Sequence, residues 1–128
     1  MDQEITNQTL LPQPALDEEA IEALRDLGDG DDVFLRELLE QYVDQTDRLV
    51  LDLAEAARAG DLQSWIGTMH ALAGSSRNIG ALRLGAVCTA AEVDGRASGR
   101  IDRLAFRNDF EIEYDAVKRE TAVLCNRG

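Results

Sequence analysis

The chain has 128 residues, with 25 Asp and Glu against 13 Lys and Arg and a net charge of −12. That length is one domain with room for a sizeable core. The acidic balance excludes nucleic acid and anionic membrane surfaces, which need a basic footprint. No apolar run approaches the ~20 residues of a membrane span, and the polar, acidic N-terminus does not read as a signal peptide.

Residues 1–15, which hold both prolines, read as a flexible leader or linker, and residues 16–127 as one helical bundle. The first helix starts at Asp17, whose carboxylate can cap it. Leu16 and Ile21 fall at staple positions, and Leu27-Gly28 ends it. Asp31 or Asp32 caps the next. From Val33 to Ala59 there is no Pro or Gly, and Leu35, Leu38, Leu39, Tyr42, Val43, Leu49, Val50, Leu53 and Ala57 recur at helical spacing. This reads as one long helix with room for an irregularity at Asp44–Asp47. Gly60 stops it. Asp61 caps a helix from Leu62 to about Asn78, whose inward stripe is Leu62, Trp65, Met69, Leu72 and Ser76. Gly80 marks a tight connection to a helix over about Ala81–Ala97, with Leu84, Val87, Cys88 and Ala91 inward. After Ser98-Gly99, the last helix spans about Ile101–Leu124, with Phe106, Phe110, Tyr114, Val117, Thr121 and Leu124 as its core face. The fold class is all-α: an antiparallel four-helix bundle with a short additional N-terminal helix. Cys88 reads as a small buried hydrophobe and Cys125 as a thiol near the end of a helix, not as a disulfide pair. No cysteine–histidine spacing suits a metal.

The single histidine, His70, lies in a stretch without Asp or Glu between Asp61 and Glu92; its bases are Arg77 and Arg83. Such a stretch suits an anionic group or partner. With Met69 central to the buried stripe, His70 falls near its edge and is expected to be partly exposed. Gly67 and Gly74 flank it by one turn, each costing roughly 1 kcal/mol relative to Ala, and give clearance for a partner's approach. Arg77 lies two turns along the same face. Taken singly, these features have bland readings: a lone edge histidine is most often a solvated residue, and Arg77 also complements the helix dipole.

The pattern His70-x-Leu72-x-Gly74-Ser75-Ser76-x-x-x-Gly80-Ala81-x-x-Leu84-x-x-x-Cys88 resembles the signature of histidine-containing phosphotransfer (HPt) domains. The resemblance extends weakly over most of the chain: Phe34 to Gly60, followed by Asp61-Leu62, resembles the family's preceding helical hairpin arm, and Glu92 fits the family's acidic residue on the Cys-containing helix. It implies a four-helix bundle that shuttles phosphoryl groups between receiver-domain aspartates, with His70 as acceptor and donor through Nε2. Gly74 and Arg77 would form the phosphoryl environment, and Ile66, Gly67, Ala73, Gly74 and Arg77 the partner-binding surface. An imidazole, with its reference pKa near ~6.5, has ample neutral form at physiological pH to attack phosphorus. One departure stands out. The family usually carries Lys three residues after the His, and this chain has Ala73, which leaves Arg77 as the nearest cation.

No Gly-rich phosphate loop is present, so an autonomous kinase is not expected. No cofactor or metal is expected, with Mg2+ only at the receiver. The expected partners are receiver domains of response regulators or hybrid sensor kinases. The expected setting is a cytoplasmic monomer, either free-standing or part of a larger kinase. Two other readings stay open: a module that binds a receiver or regulator without transfer, and a structural bundle with an incidental histidine.

Overall fold

The computed structural model describes residues 14–126, apart from the side chain of Ala105. Most of the expected leader, residues 1–13, lies outside them. Five helices follow in order: α1 (Glu18–Leu27), α2 (Val33–Ala59), α3 (Leu62–Asn78), α4 (Leu82–Ser98) and α5 (Arg103–Asn126). No strand occurs among the described residues.

The boundaries follow local chemistry. Asp17 caps α1 by accepting from the Ala20 N–H at 3.1 Å. At the start of α2 the Asp31 carboxylate accepts from the Val33 N–H at 2.9 Å, while Asp32 makes no side-chain cap. The stretch Asp44–Asp47 does not divide α2, which is continuous. Gly60 ends it at φ 67°, a left-handed conformation that glycine adopts without strain. Asp61 caps α3 by accepting from the Ser64 N–H at 3.1 Å.

Helices α2 to α5 form the bundle, each packed on its neighbour in sequence, with α5 closing back on α2. The tightest seam is α3 against α4. Leu35, Leu39, Met69, Leu72, Leu84, Cys88 and Val117 are at most 1 % exposed. Full burial of a large apolar side chain contributes roughly 1.5–3 kcal/mol, so this central layer dominates stability. A run of aromatic rings, Trp65, Phe106, Phe110 and Tyr114, continues the core along α5 at centroid spacings of 5.6, 5.0 and 5.3 Å.

Helix α1 closes the end of the bundle where α3 turns into α4. The Asp17 N–H donates to the Gly80 carbonyl at 2.8 Å. Gly80 has φ +84°, and a Cβ there would meet Ala20 Cβ at 2.8 Å, so this crossing needs glycine twice over. The Glu120 carboxylate of α5 accepts the Ala15 and Leu16 N–H groups at 2.6 and 2.9 Å. The turn after α3 is thus fixed from both sides, which holds the histidine helix in register. Inside the bundle, the Tyr42 hydroxyl and Ser76 Oγ pair at 2.7 Å, so Ser76 both permits close helix approach and satisfies a buried phenol.

Both cysteines are free, as expected, with Cys88 buried. Burial pushes the Cys88 thiol up to about 12, against a smaller opposing pull from the Arg77 charge.

Candidate functional site

His70 stands on the outer face of α3 with its side chain 76 % exposed, further out than an edge position implied. Its Nδ1 lies 3.2 Å from both carboxylate oxygens of Glu92 on α4. The Glu92 side chain is only 13 % exposed and also accepts from Arg96 Nε at 3.2 Å and Nη2 at 3.0 Å. Desolvation raises the Glu92 pKa, but hydrogen bonds from Arg96 and His70 outweigh it and hold the carboxyl below its ordinary range. An ionised carboxylate only accepts, so the proton between the two groups belongs to Nδ1. That leaves Nε2 as the unprotonated nitrogen of the neutral ring.

This geometry corrects one expectation. The stretch around His70 lacks acids in sequence but not in space, because the turn at Gly80 folds α4 back along α3 and sets Glu92 opposite His70. The signal was present in the chain: ten residues precede the turn from His70 and twelve follow it to Glu92, which is antiparallel register for two straight helices.

Two members of the expected partner surface are also corrected. Ile66 and Ala73 are 5 % and 2 % exposed and belong to the core. Helix α3 is buried from two sides, by α2 and α4, so its covered arc is wider than one inward stripe. Small residues on α4 bring the seam close. A Cβ at Gly95 would lie 3.4 Å from Ile66 Cγ1, and one at Gly85 would lie 3.5 Å from the Ala73 carbonyl. Gly67, Gly74 and Arg77 are exposed beside His70. A Cβ at Gly67 or Gly74 would meet nothing within 4 Å, so neither glycine is demanded by packing inside this chain.

Arg77 does not project freely. Its Nη2 donates to Thr89 Oγ1 on α4, and its stem crosses Gly85, where a Cβ would sit 3.1 Å from Arg77 Cγ. Arg83 turns the other way and pairs with Glu113 of α5 at 2.9 Å. Sequence reasoning named Glu92 only as a family match and missed its contact with the ring. It missed Thr89 and Arg96 altogether, because their relevance depends on the α3–α4 register. No group of three or more His, Cys, Asp or Glu among the described residues is placed to hold a metal ion. No described helix is long and apolar enough to cross a membrane.

An exposed imidazole, oriented through Nδ1 and open at Nε2, can attack an electrophilic phosphorus. The Hpt domain family model matches residues 37–120. The chain belongs to the Hpt family. The match spans α2 through most of α5 and includes His70 and Glu92. Among solved structures, the chain is similar to the histidine-containing phosphotransfer protein B (HptB) from Pseudomonas aeruginosa PAO1 at 26 % identity and a TM-score of 0.82. That likeness covers 91 % of this chain and 99 % of the other. No curated protein matches the sequence. As an Hpt domain, the chain has a histidine phosphotransfer role in phosphorelay signalling.

Proposed function

We propose that His70 accepts a phosphoryl group from the aspartyl phosphate of one receiver domain and returns it to the aspartate of another, through Nε2. The observation that carries this reading is the Nδ1 contact to an ionised, largely covered Glu92 on a ring that is otherwise exposed.

The Nε2 lone pair attacks phosphorus, forming the N–P bond. The acyl-phosphate O–P bond breaks, and its electron pair leaves on the receiver's aspartate. The ring gains positive charge as the N–P bond forms, and Glu92 sits where that charge is stabilised. Because Glu92 is held by Arg96, the imidazole is oriented before the partner arrives, which reduces the reorganisation needed at the moment of attack. The bond is labile, so the reverse step delivers the group to a second receiver.

The docking face consists of Gly67, His70, Gly74 and Arg77, with Val93, 58 % exposed, beside Glu92 on α4. Ile66 and Ala73 lie beneath this face and shape it. Magnesium belongs to the receiver's acidic site, and the chain needs no nucleotide because the donor arrives already phosphorylated. It works as a monomeric carrier in the cytoplasm and has no kinase activity of its own.

The test is labelling from a phosphorylated receiver. Wild type should acquire an acid-labile, relatively base-stable phosphoryl group, and His70→Gln should acquire none while keeping its helical circular dichroism. Labelling that persists in His70→Gln would overturn the proposal. Binding of a receiver without labelling of the wild type would favour a docking module, the reading to which the lysine-free position at Ala73 points.

A further inference from the structure

Arg77 is seven residues beyond His70, about 10 Å along the helix axis, too far for its Cα to place a charge at the imidazole. The α3–α4 register changes that. His70 faces Glu92 at 3.2 Å, and Arg77 Cγ faces the Cβ direction of Gly85 at 3.1 Å. Seven residues forward on α3 therefore match seven residues back on α4. Thr89, three residues before Glu92, is level with Ala73, three residues after His70. The Arg77 stem runs back along the seam, over the one α4 position without a side chain in its path, and its guanidinium ends on the Thr89 hydroxyl. The charge is thus carried from level 77 to about level 73, roughly 4.5 Å of helix rise from His70.

We propose that Thr89 is a positioning residue: its hydroxyl holds the Arg77 guanidinium at the level of Ala73, where it serves as the cation for a phosphoryl group on His70. This rests on the reading of His70 as the phosphoryl acceptor. It also accounts for Gly85, since a side chain there would crowd the stem that must cross it. Glu92 and Arg96 occupy the other end of the same α4 ridge, one turn onward, so the ring lies between a carboxylate-held arginine and a hydroxyl-held one. A hydroxyl is a weaker anchor than a carboxylate, so Arg77 is the more readily redirected of the two. Held by Thr89, it keeps its full charge available to an incoming dianion.

The test compares phosphohistidine half-lives after loading with phosphoramidate, which phosphorylates an exposed imidazole without any receiver. Thr89→Val removes the acceptor and keeps the shape. It should shorten the half-life about threefold at low ionic strength, as much as Arg77→Ala does, and less at high salt. Thr89→Ser should retain the wild-type half-life, and Thr89→Val/Arg77→Ala should be no worse than either single variant. A wild-type half-life in Thr89→Val beside a short one in Arg77→Ala would overturn the positioning role. Unchanged half-lives in both would remove Arg77 from the phosphoryl environment and overturn the proposal with it. Failure of the wild type to take phosphoryl from receivers would instead overturn the proposed function. It is measured separately, so the two failures are distinguishable.

Discussion

Replacing Gly74 should make the domain more stable and less active at once. In an exposed helical position glycine is less favourable than Ala or Gln by about 1 kcal/mol. Nothing in the structure offsets that gain, because a Cβ at Gly74 would meet no atom within 4 Å. Gly74→Ala and Gly74→Gln should each raise stability by up to about 1 kcal/mol, which for a domain of this size is about 4 °C in melting temperature. On the proposed docking face, the open space beside Gly74 is where a receiver's active site would approach a ring one turn away. A glutamine side chain there should slow transfer about tenfold, equivalent to ~1.4 kcal/mol in the barrier. The assay is thermal melting by circular dichroism alongside the rate of transfer from a phosphorylated receiver. A Gly74→Gln protein that melts higher and transfers at the wild-type rate would refute the docking face. A protein that melts lower would refute the assignment of Gly74 to unstrained, uncrowded helix.

Four further outcomes are expected. Glu92→Gln should keep an acceptor for Nδ1 but lose the charge, slowing transfer about tenfold with little change in fold; an unchanged rate would mean that the carboxylate only anchors Arg96. Since the folded pKa of Glu92 is depressed, its stabilisation is complete above the ordinary carboxylate value and is lost as pH falls through the lower folded value. Glu92→Gln should therefore weaken the loss of stability at acid pH, as read from melting temperature between neutral pH and about pH 3. Ser76→Ala leaves the Tyr42 hydroxyl buried without its partner and should cost about 1–3 kcal/mol, whereas Tyr42→Phe/Ser76→Ala should cost less than the two single changes together, as measured in urea. With its thiol pushed up to about 12 and its side chain buried, Cys88 should resist iodoacetamide in the native protein while Cys125 reacts slowly, and both should react in denaturant, as counted by mass spectrometry.

The helices were legible because their signals are local. Asp17, Asp61 and Gly60 act within four residues of themselves, and each makes the cap or stop that its chemistry implies. The core stripes of α3 and α5 followed from 3.6-residue spacing, and Met69, Leu72, Phe110 and Val117 are buried accordingly. The candidate site was legible in the exposure of His70, Gly67 and Gly74, where composition departs from what a helix prefers. It was illegible where two helices meet. A helical wheel treats α3 as having one covered side, whereas α2 and α4 cover two, and that difference buries Ile66 and Ala73. Glu92 is 22 residues from His70 in sequence and 3.2 Å from it in space, a proximity set by the register about Gly80. The same register takes the Arg77 side chain to Thr89, which no feature of either residue alone would indicate.

The most direct measurement follows one phosphoryl group through the chain. A receiver domain carrying radiolabelled aspartyl phosphate is mixed with a second, unphosphorylated receiver, with and without this protein. Wild type should move label from the first receiver to the second, with a transient, acid-labile label on the chain itself. His70→Gln should block the movement while leaving both receivers intact. Label reaching the second receiver equally well through His70→Gln, or accumulating on any residue other than His70, would contradict the account.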